Sequence, residues 1–162
     1  MNWFGVWPPA EGEKRNRESI WLCMVSKVSA NLNKIQWTGS MVTEFLGTYL
    51  SDPKADVVFD ANKKISMRTF SEKLEKVGIA LDLKSQMLFS GENELCQFFI
   101  NGEIAEFSGD VASVLKKLAD NRQLVASEFS ATIMNNEPFL QQLHTWYLAG
   151  YLQLGTPKNF NF

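Results

Sequence analysis

Between Glu18 and Leu50 apolar residues recur at every fourth position, first as Ile20, Met24, Val28 and Leu32, then as Trp37, Met41, Phe45 and Tyr49. That spacing follows the helical repeat and predicts two amphipathic helices in succession, with Thr38 or Ser40 as a cap for the second. Trp21, Leu22 and Val25 widen the first stripe, and Val42, Leu46 and Leu50 widen the second. Two helices joined by a few residues form a helical hairpin, in which each helix covers only one side of its mate. Stripes this broad therefore leave apolar surface for a second chain or a following domain to cover.

Pro53 disfavours helix at Asp52 and sets the expected end of this region. Beyond Pro53 the chain reads as short alternating elements. Val57-Val58-Phe59 is a candidate strand. Ser66 caps a helix with Met67, Phe70, Leu74 and Val77 on one face, and Gly78 stops it. Gln86 to Phe89 is another strand, and Asn101-Gly102 joins two more (Cys96 to Ile100, Glu103 to Phe107) in a hairpin. Ser108 opens a helix with Val111, Val114, Leu115 and Leu118 inward, and a weaker helix lies near Val125 to Ile133. The last helix starts near Pro138, turns Phe139, Leu143, Trp146 and Tyr147 to one side and stops at Gly150, before a final strand over Tyr151 to Leu154. The fold class expected is α+β and mostly helical, an N-terminal helical hairpin followed by a winged-helix-like domain. The expected divisions are an extended segment 1–16 carrying Trp3, Phe4 and Trp7, a helical region 17–52, a winged-helix-like region 53–154 and a tail 155–162.

The chemistry available is narrow. The chain holds one histidine and two cysteines. A catalytic zinc usually takes three ligands from His, Cys and carboxylate, and a non-haem iron takes two His and a carboxylate. His144 alone cannot supply either and reads as structural. Cys23 and Cys96, far apart and among apolar neighbours, read as buried free thiols. No phosphate-binding glycine motif and no G-x-S-x-G elbow occurs. No catalytic residue, metal site or cofactor is expected.

With a net charge of -2, the chain lacks the positive balance that phosphate-backbone binding favours. Two basic clusters, Lys63, Lys64 and Arg68, then Lys116, Lys117 and Arg122, have acidic residues close by and read as surface charge. No apolar run reaches the ~18 residues of a membrane helix, and the N-terminus carries Trp and Pro in place of a secretory pattern. The expected location is the cytoplasm.

Four segments in order, EFLGTYLSDPKADVVFD (Glu44 to Asp60), FFINGE (Phe98 to Glu103), LKKLADNR (Leu115 to Arg122) and LHTWYLAGYLQL (Leu143 to Leu154), resemble the C-terminal part of the bacterial cupin-like JmjC oxygenases that hydroxylate an arginine of a ribosomal protein. The resemblance runs from about residue 18 to 154. It implies a helical dimerisation region followed by a winged-helix-like domain. The iron- and 2-oxoglutarate-binding barrel, with its H-x-D…H ligands, is not covered, so no catalytic residue of that family carries over. The expected role is a non-catalytic homodimerisation or protein-interaction module, a truncated member of the family. The expected interface is built from Trp21, Met24, Val28, Trp37, Met41 and Phe45. A ribosomal protein or a separately encoded barrel is a further partner class. The alternatives are a winged-helix nucleic-acid binder and an accessory subunit of such a barrel.

Overall fold

The computed structural model describes residues 17–32, 34, 36–91 and 95–155. It divides into two compact units, Met1–Thr38 and Gly39–Phe162. The first contains α1 (Arg17–Leu32). The second opens with α2 (Gly39–Ser51), which starts directly after Thr38. Sequence patterning sets a boundary at Pro53, whereas the compact units part after Thr38 and α2 packs on strands of the second unit. Trp37 precedes the helix it was expected to join.

The second unit continues with α3 (Met67–Val77), β1 (Ile79–Leu81), β2 (Met87–Ser90), β3 (Cys96–Ile100) and β4 (Glu103–Phe107). Then come α4 (Gly109–Asn121), β5 (Gln123–Leu124), a 3-10 turn at Ala126–Glu128, α5 (Ala131–Met134), α6 (Glu137–Leu148) and β6 (Leu152–Leu154). Among the described residues two antiparallel sheets form, in strand orders β5-β1-β6 and β2-β3-β4. The core between the elements is apolar: Phe70 and Leu74 of α3, Phe98 and Ile100 of β3, Leu115 and Leu118 of α4, and Phe139, Leu143 and Trp146 of α6 are all fully buried. The architecture is α+β with six helices and small sheets among the described residues, as expected.

Local chemistry accounts for the joints. Ser66 accepts from the Thr69 N–H and opens α3, and Gly78, at φ 73°, closes it. Asn101 (φ 48°) and Gly102 (φ 84°) take the left-handed conformations that a two-residue hairpin requires. The Asn101 side chain does more than tolerate that φ. Its Oδ1 accepts from the Gln86 N–H at 2.9 Å, and its Nδ2 donates to Ser85 Oγ, which donates to the Tyr151 carbonyl. Asn136 caps α6 through the Phe139 N–H.

Several expectations need correction. Val57-Val58-Phe59 forms no strand, because among the described residues no neighbouring strand runs beside it. Residues 53–66 instead make an irregular strap with a turn at its start, where the Val57 N–H bonds the Lys54 carbonyl, and side chains pin it. Asn62 Nδ2 donates to the Tyr147 and Leu152 carbonyls at 2.8 and 2.7 Å. Lys84 Nζ donates to the Val58 carbonyl, and Tyr147 Oη donates to that of Lys63. Ser108 precedes α4, but its side chain makes no capping bond. The weak helix near Val125 is two short pieces separated by Phe129-Ser130. Cys96 is buried as expected, whereas Cys23 on α1 is exposed. The expectations for residues 1–16 and for the tail from Thr156 lie outside the described residues.

Candidate interaction surface

α2 lies on the outer face of the β2-β3-β4 sheet by its smallest residues. Thr43, Gly47 and Ser51 recur at spacing four and form its inward side, half-buried at Thr43 and Gly47 and fully buried at Ser51. A Cβ added at Gly47 would meet the Phe99 ring at 2.5 Å, so only glycine permits this approach. At the end of the helix Ser51 Oγ accepts from the Gly102 N–H at 3.1 Å and donates to the Thr48 carbonyl. Helix and hairpin turn are thereby tied together.

Docking by the small face leaves the large one outside. Met41, Phe45 and Tyr49 are 45%, 57% and 68% exposed, and Phe45 and Tyr49 stack on each other at 5.9 Å between ring centroids. Val42, Leu46 and Leu50 are exposed as well. In the sheet beneath, Leu88, Phe99 and Ile104 stand opposite one another in a single rung on the face that α2 covers. Phe99 is buried, but Leu88 and Ile104 remain partly open. Fully burying such a side chain contributes about 1.5–3 kcal/mol, so each half-exposed one forgoes on the order of 1 kcal/mol.

In the first unit, α1 exposes Leu22, Met24, Val25, Val28 and Leu32. Of the expected interface residues, Met24, Val28, Trp37, Met41 and Phe45 are all solvent-facing, and the Trp21 side chain lies outside the described residues. Leu88 and Ile104 escaped the sequence reading because alternation in a strand marks two faces without saying which is covered. Thr43, Gly47 and Ser51 escaped it too, although their period-four spacing was a readable signal for close packing.

The other candidates have structural roles. His144 Nε2 donates to the Ile65 carbonyl at 3.0 Å, with its ring against Phe70. In the second basic cluster, Arg122 Nη2 donates to the Asp82 and Ser85 carbonyls, Lys117 pairs with Glu128 at 3.5 Å, and Lys116 lies over the Phe89 ring. In the first cluster Arg68 pairs with Glu72 at 3.0 Å. Among the described residues no group of three or more His, Cys, Asp or Glu is placed to hold a metal ion. No helix among them is long and apolar enough to cross a membrane. Burial, then the charge and hydrogen bond of Glu103, raise the Tyr151 phenol above its ordinary 10.0.

The sequence profile of the ROXA-like winged helix matches residues 34–153, most of the chain and nearly all of its second unit. The chain belongs to the ROXA-like winged-helix family. Two Escherichia coli structures show how this winged-helix fold compares with solved proteins. The ribosomal oxygenase YcfD superposes with a TM-score of 0.61 at 18% identity, covering 96% of this chain and 41% of that one. YcfD in complex with cobalt and 2-oxoglutarate gives 0.59 at 17% identity, covering 94% and 40%. This ROXA-like chain thus spans about two fifths of the length of those oxygenases, and the likeness is one of fold. No curated protein matches it in sequence.

Proposed function

We propose that the chain is a homodimerising, non-catalytic protein-interaction module, its interface formed by the exposed apolar residues of α1 and α2. The observation that carries this reading is the orientation of α2. A helix that docks by Thr43, Gly47 and Ser51 and turns Met41, Phe45 and Tyr49 to water presents an apolar surface to a partner. A second copy is the economical partner, since a two-fold interface needs only one self-complementary patch. Two further points favour it: the exposed ring pair of Phe45 and Tyr49 is the kind of aromatic anchor found at interface centres, and net charge is small.

Oxygenase activity is not part of the proposal. A two-histidine, one-carboxylate iron site needs more histidines than the single one in the sequence. The likeness to ribosomal oxygenases suggests a cytoplasmic setting, with a ribosomal protein or a separately encoded barrel as a further partner. Nucleic acid is disfavoured: α6 contains no Lys or Arg, and the cations of the second basic cluster are engaged within the fold.

Sedimentation velocity of the wild type beside Met41→Asp/Phe45→Asp tests the reading. Dimer for the wild type and folded monomer for the variant is the expected result. A variant that sediments as an unchanged dimer would remove α2 from the interface.

A further inference from the structure

The β5-β1-β6 sheet has an open edge. β6 pairs with β1 alone among the described strands, and the pairing of Ala80 with Gln153 directs the backbone of Gln153 to β1. The Gly155 N–H bonds the Gly78 carbonyl and the Asp82 N–H bonds the Tyr151 carbonyl, in step with that register. By the two-residue alternation of an antiparallel ladder, the backbone groups of Leu152 and Leu154 then point away from β1. Asn62 satisfies one of them, donating to the Leu152 carbonyl at 2.7 Å as an added strand would. The N–H and C=O of Leu154 are left without such a partner among the described residues.

Leu154 borders a cleft of about 480 Å³, lined also by Asn62, Lys73, Val77, Tyr147 and Gln153. Val77 and Leu154 give it an apolar wall, and Lys73 is the one charged residue among these. Among the charges around it, the Asp82 carboxylate is occupied, accepting from Gln153 Nε2 at 2.6 Å. On α3 Lys73 lies one turn before Val77, and Lys76 lies one turn after Glu72, which pairs with Arg68. Lys63 adjoins Asn62 in the strap, its carbonyl held by Tyr147 Oη. None of Lys63, Lys73 and Lys76 forms an ion pair among the described residues.

We propose that this cleft binds an acidic peptide segment in extended form, which adds as a strand to the edge of β6. Its backbone bonds the N–H and C=O of Leu154, an apolar side chain packs between Val77 and Leu154, and a carboxylate meets Lys73. Strand addition takes affinity from main-chain hydrogen bonds and specificity from alternate side chains, which is what an edge beside an apolar wall and a cation provides. A nucleic acid fits less well, because three lysines neutralise few phosphates and the open backbone groups alternate donor and acceptor. The site uses no residue of α1 or α2, so it stands or falls apart from the dimer.

The test is NMR titration of the full chain, labelled with 15N, with the peptide Ac-Asp-Val-Glu-Val-Asp-NH2. Its lysine counterpart Ac-Lys-Val-Lys-Val-Lys-NH2 and a short DNA duplex serve as controls. Saturable shifts of the Lys73, Gln153, Leu154 and Gly155 amides with the acidic peptide alone are expected, at concentrations up to about 1 mM. Lys73→Glu weakens binding by about fivefold or more. Leu154→Pro abolishes it while leaving the β1 ladder intact, because the N–H it removes faces outward. Three results would overturn the proposal: no saturable shift, undiminished binding to folded Leu154→Pro (charge attraction without strand addition), or tighter binding of the duplex at the same amides. Should Leu154→Pro fail to fold, the same acidic peptide with its backbone amides N-methylated decides instead: lost shifts support strand addition, and unchanged shifts overturn it.

Discussion

α2 and α6 belong to the same compact unit and both carry an apolar stripe, yet they use it in opposite ways. In α6, Phe139, Leu143 and Trp146 have no exposed surface, and the ring of Phe139 meets Phe107 edge-on at 6.0 Å. In α2, Met41, Phe45 and Tyr49 face solvent, and the helix rests on Phe99 through Gly47. The difference lies in what the opposite face offers. The outward side of α6 carries Glu137, Gln141 and Thr145, whose place is in water, whereas α2 sets a second stripe of small residues against its own sheet. An apolar stripe marks a face that seeks cover. A small-residue stripe marks the face that lies closest to its own domain.

That contrast can be broken most directly by placing a charge in each stripe. Leu143→Asp puts a carboxylate among fully buried neighbours and is expected to cost more than about 4 kcal/mol, enough to leave little folded protein in a urea titration. Phe45→Asp should shift the same midpoint far less. Equal losses would mean that α2 is as much a core helix as α6.

A smaller effect sharpens the account of how α2 docks. Gly47→Val forces a side chain against the Phe99 ring, and overpacking of this kind costs about 1–3 kcal/mol. Phe99→Leu in the same chain should restore part of that loss, a coupling readable as a double-mutant cycle. Strictly additive losses would count against the contact. Asn62→Ala comes next. It takes the side-chain donor from the Leu152 carbonyl and one of two donors from the Tyr147 carbonyl, which keeps the Gly150 N–H, at about 1–2 kcal/mol, and hydrogen exchange at the C-terminal end of α6 should quicken.

The smallest effect is a pH dependence. The folded Tyr151 pKa is raised, so its contribution to stability is whole below the unfolded value near 10 and is lost as pH climbs through the folded value. Wild-type urea midpoints should therefore fall more steeply above pH ~10 than those of Tyr151→Phe. Parallel curves would show that Glu103 and burial do not act on this phenol.

Much of the second unit was legible because its joints use residues with narrow physical roles. Ser66 and Gly78 bracket α3, Asn101-Gly102 turns the hairpin, and Pro138 falls in the first turn of α6. β1 and β5 were not legible: strands of three and two residues show no period, and only their pairing defines them. Val57 to Phe59 misled for the converse reason, since β-branched residues favour extended chain whether or not a neighbour completes a sheet. The candidate surface was half legible. Period four in Met41, Phe45 and Tyr49 identified the apolar face, but its orientation depended on Gly47 meeting Phe99, a contact between residues 52 positions apart that no local pattern encodes.

The central claim, that the exposed apolar residues of α1 and α2 meet a second copy, is tested most directly by light scattering on the wild-type chain across a dilution series. The account predicts a mass of twice 18.4 kDa that persists into the low micromolar range. A mass of 18.4 kDa at every concentration would contradict it and leave Met41, Phe45 and Tyr49 to a partner of another kind.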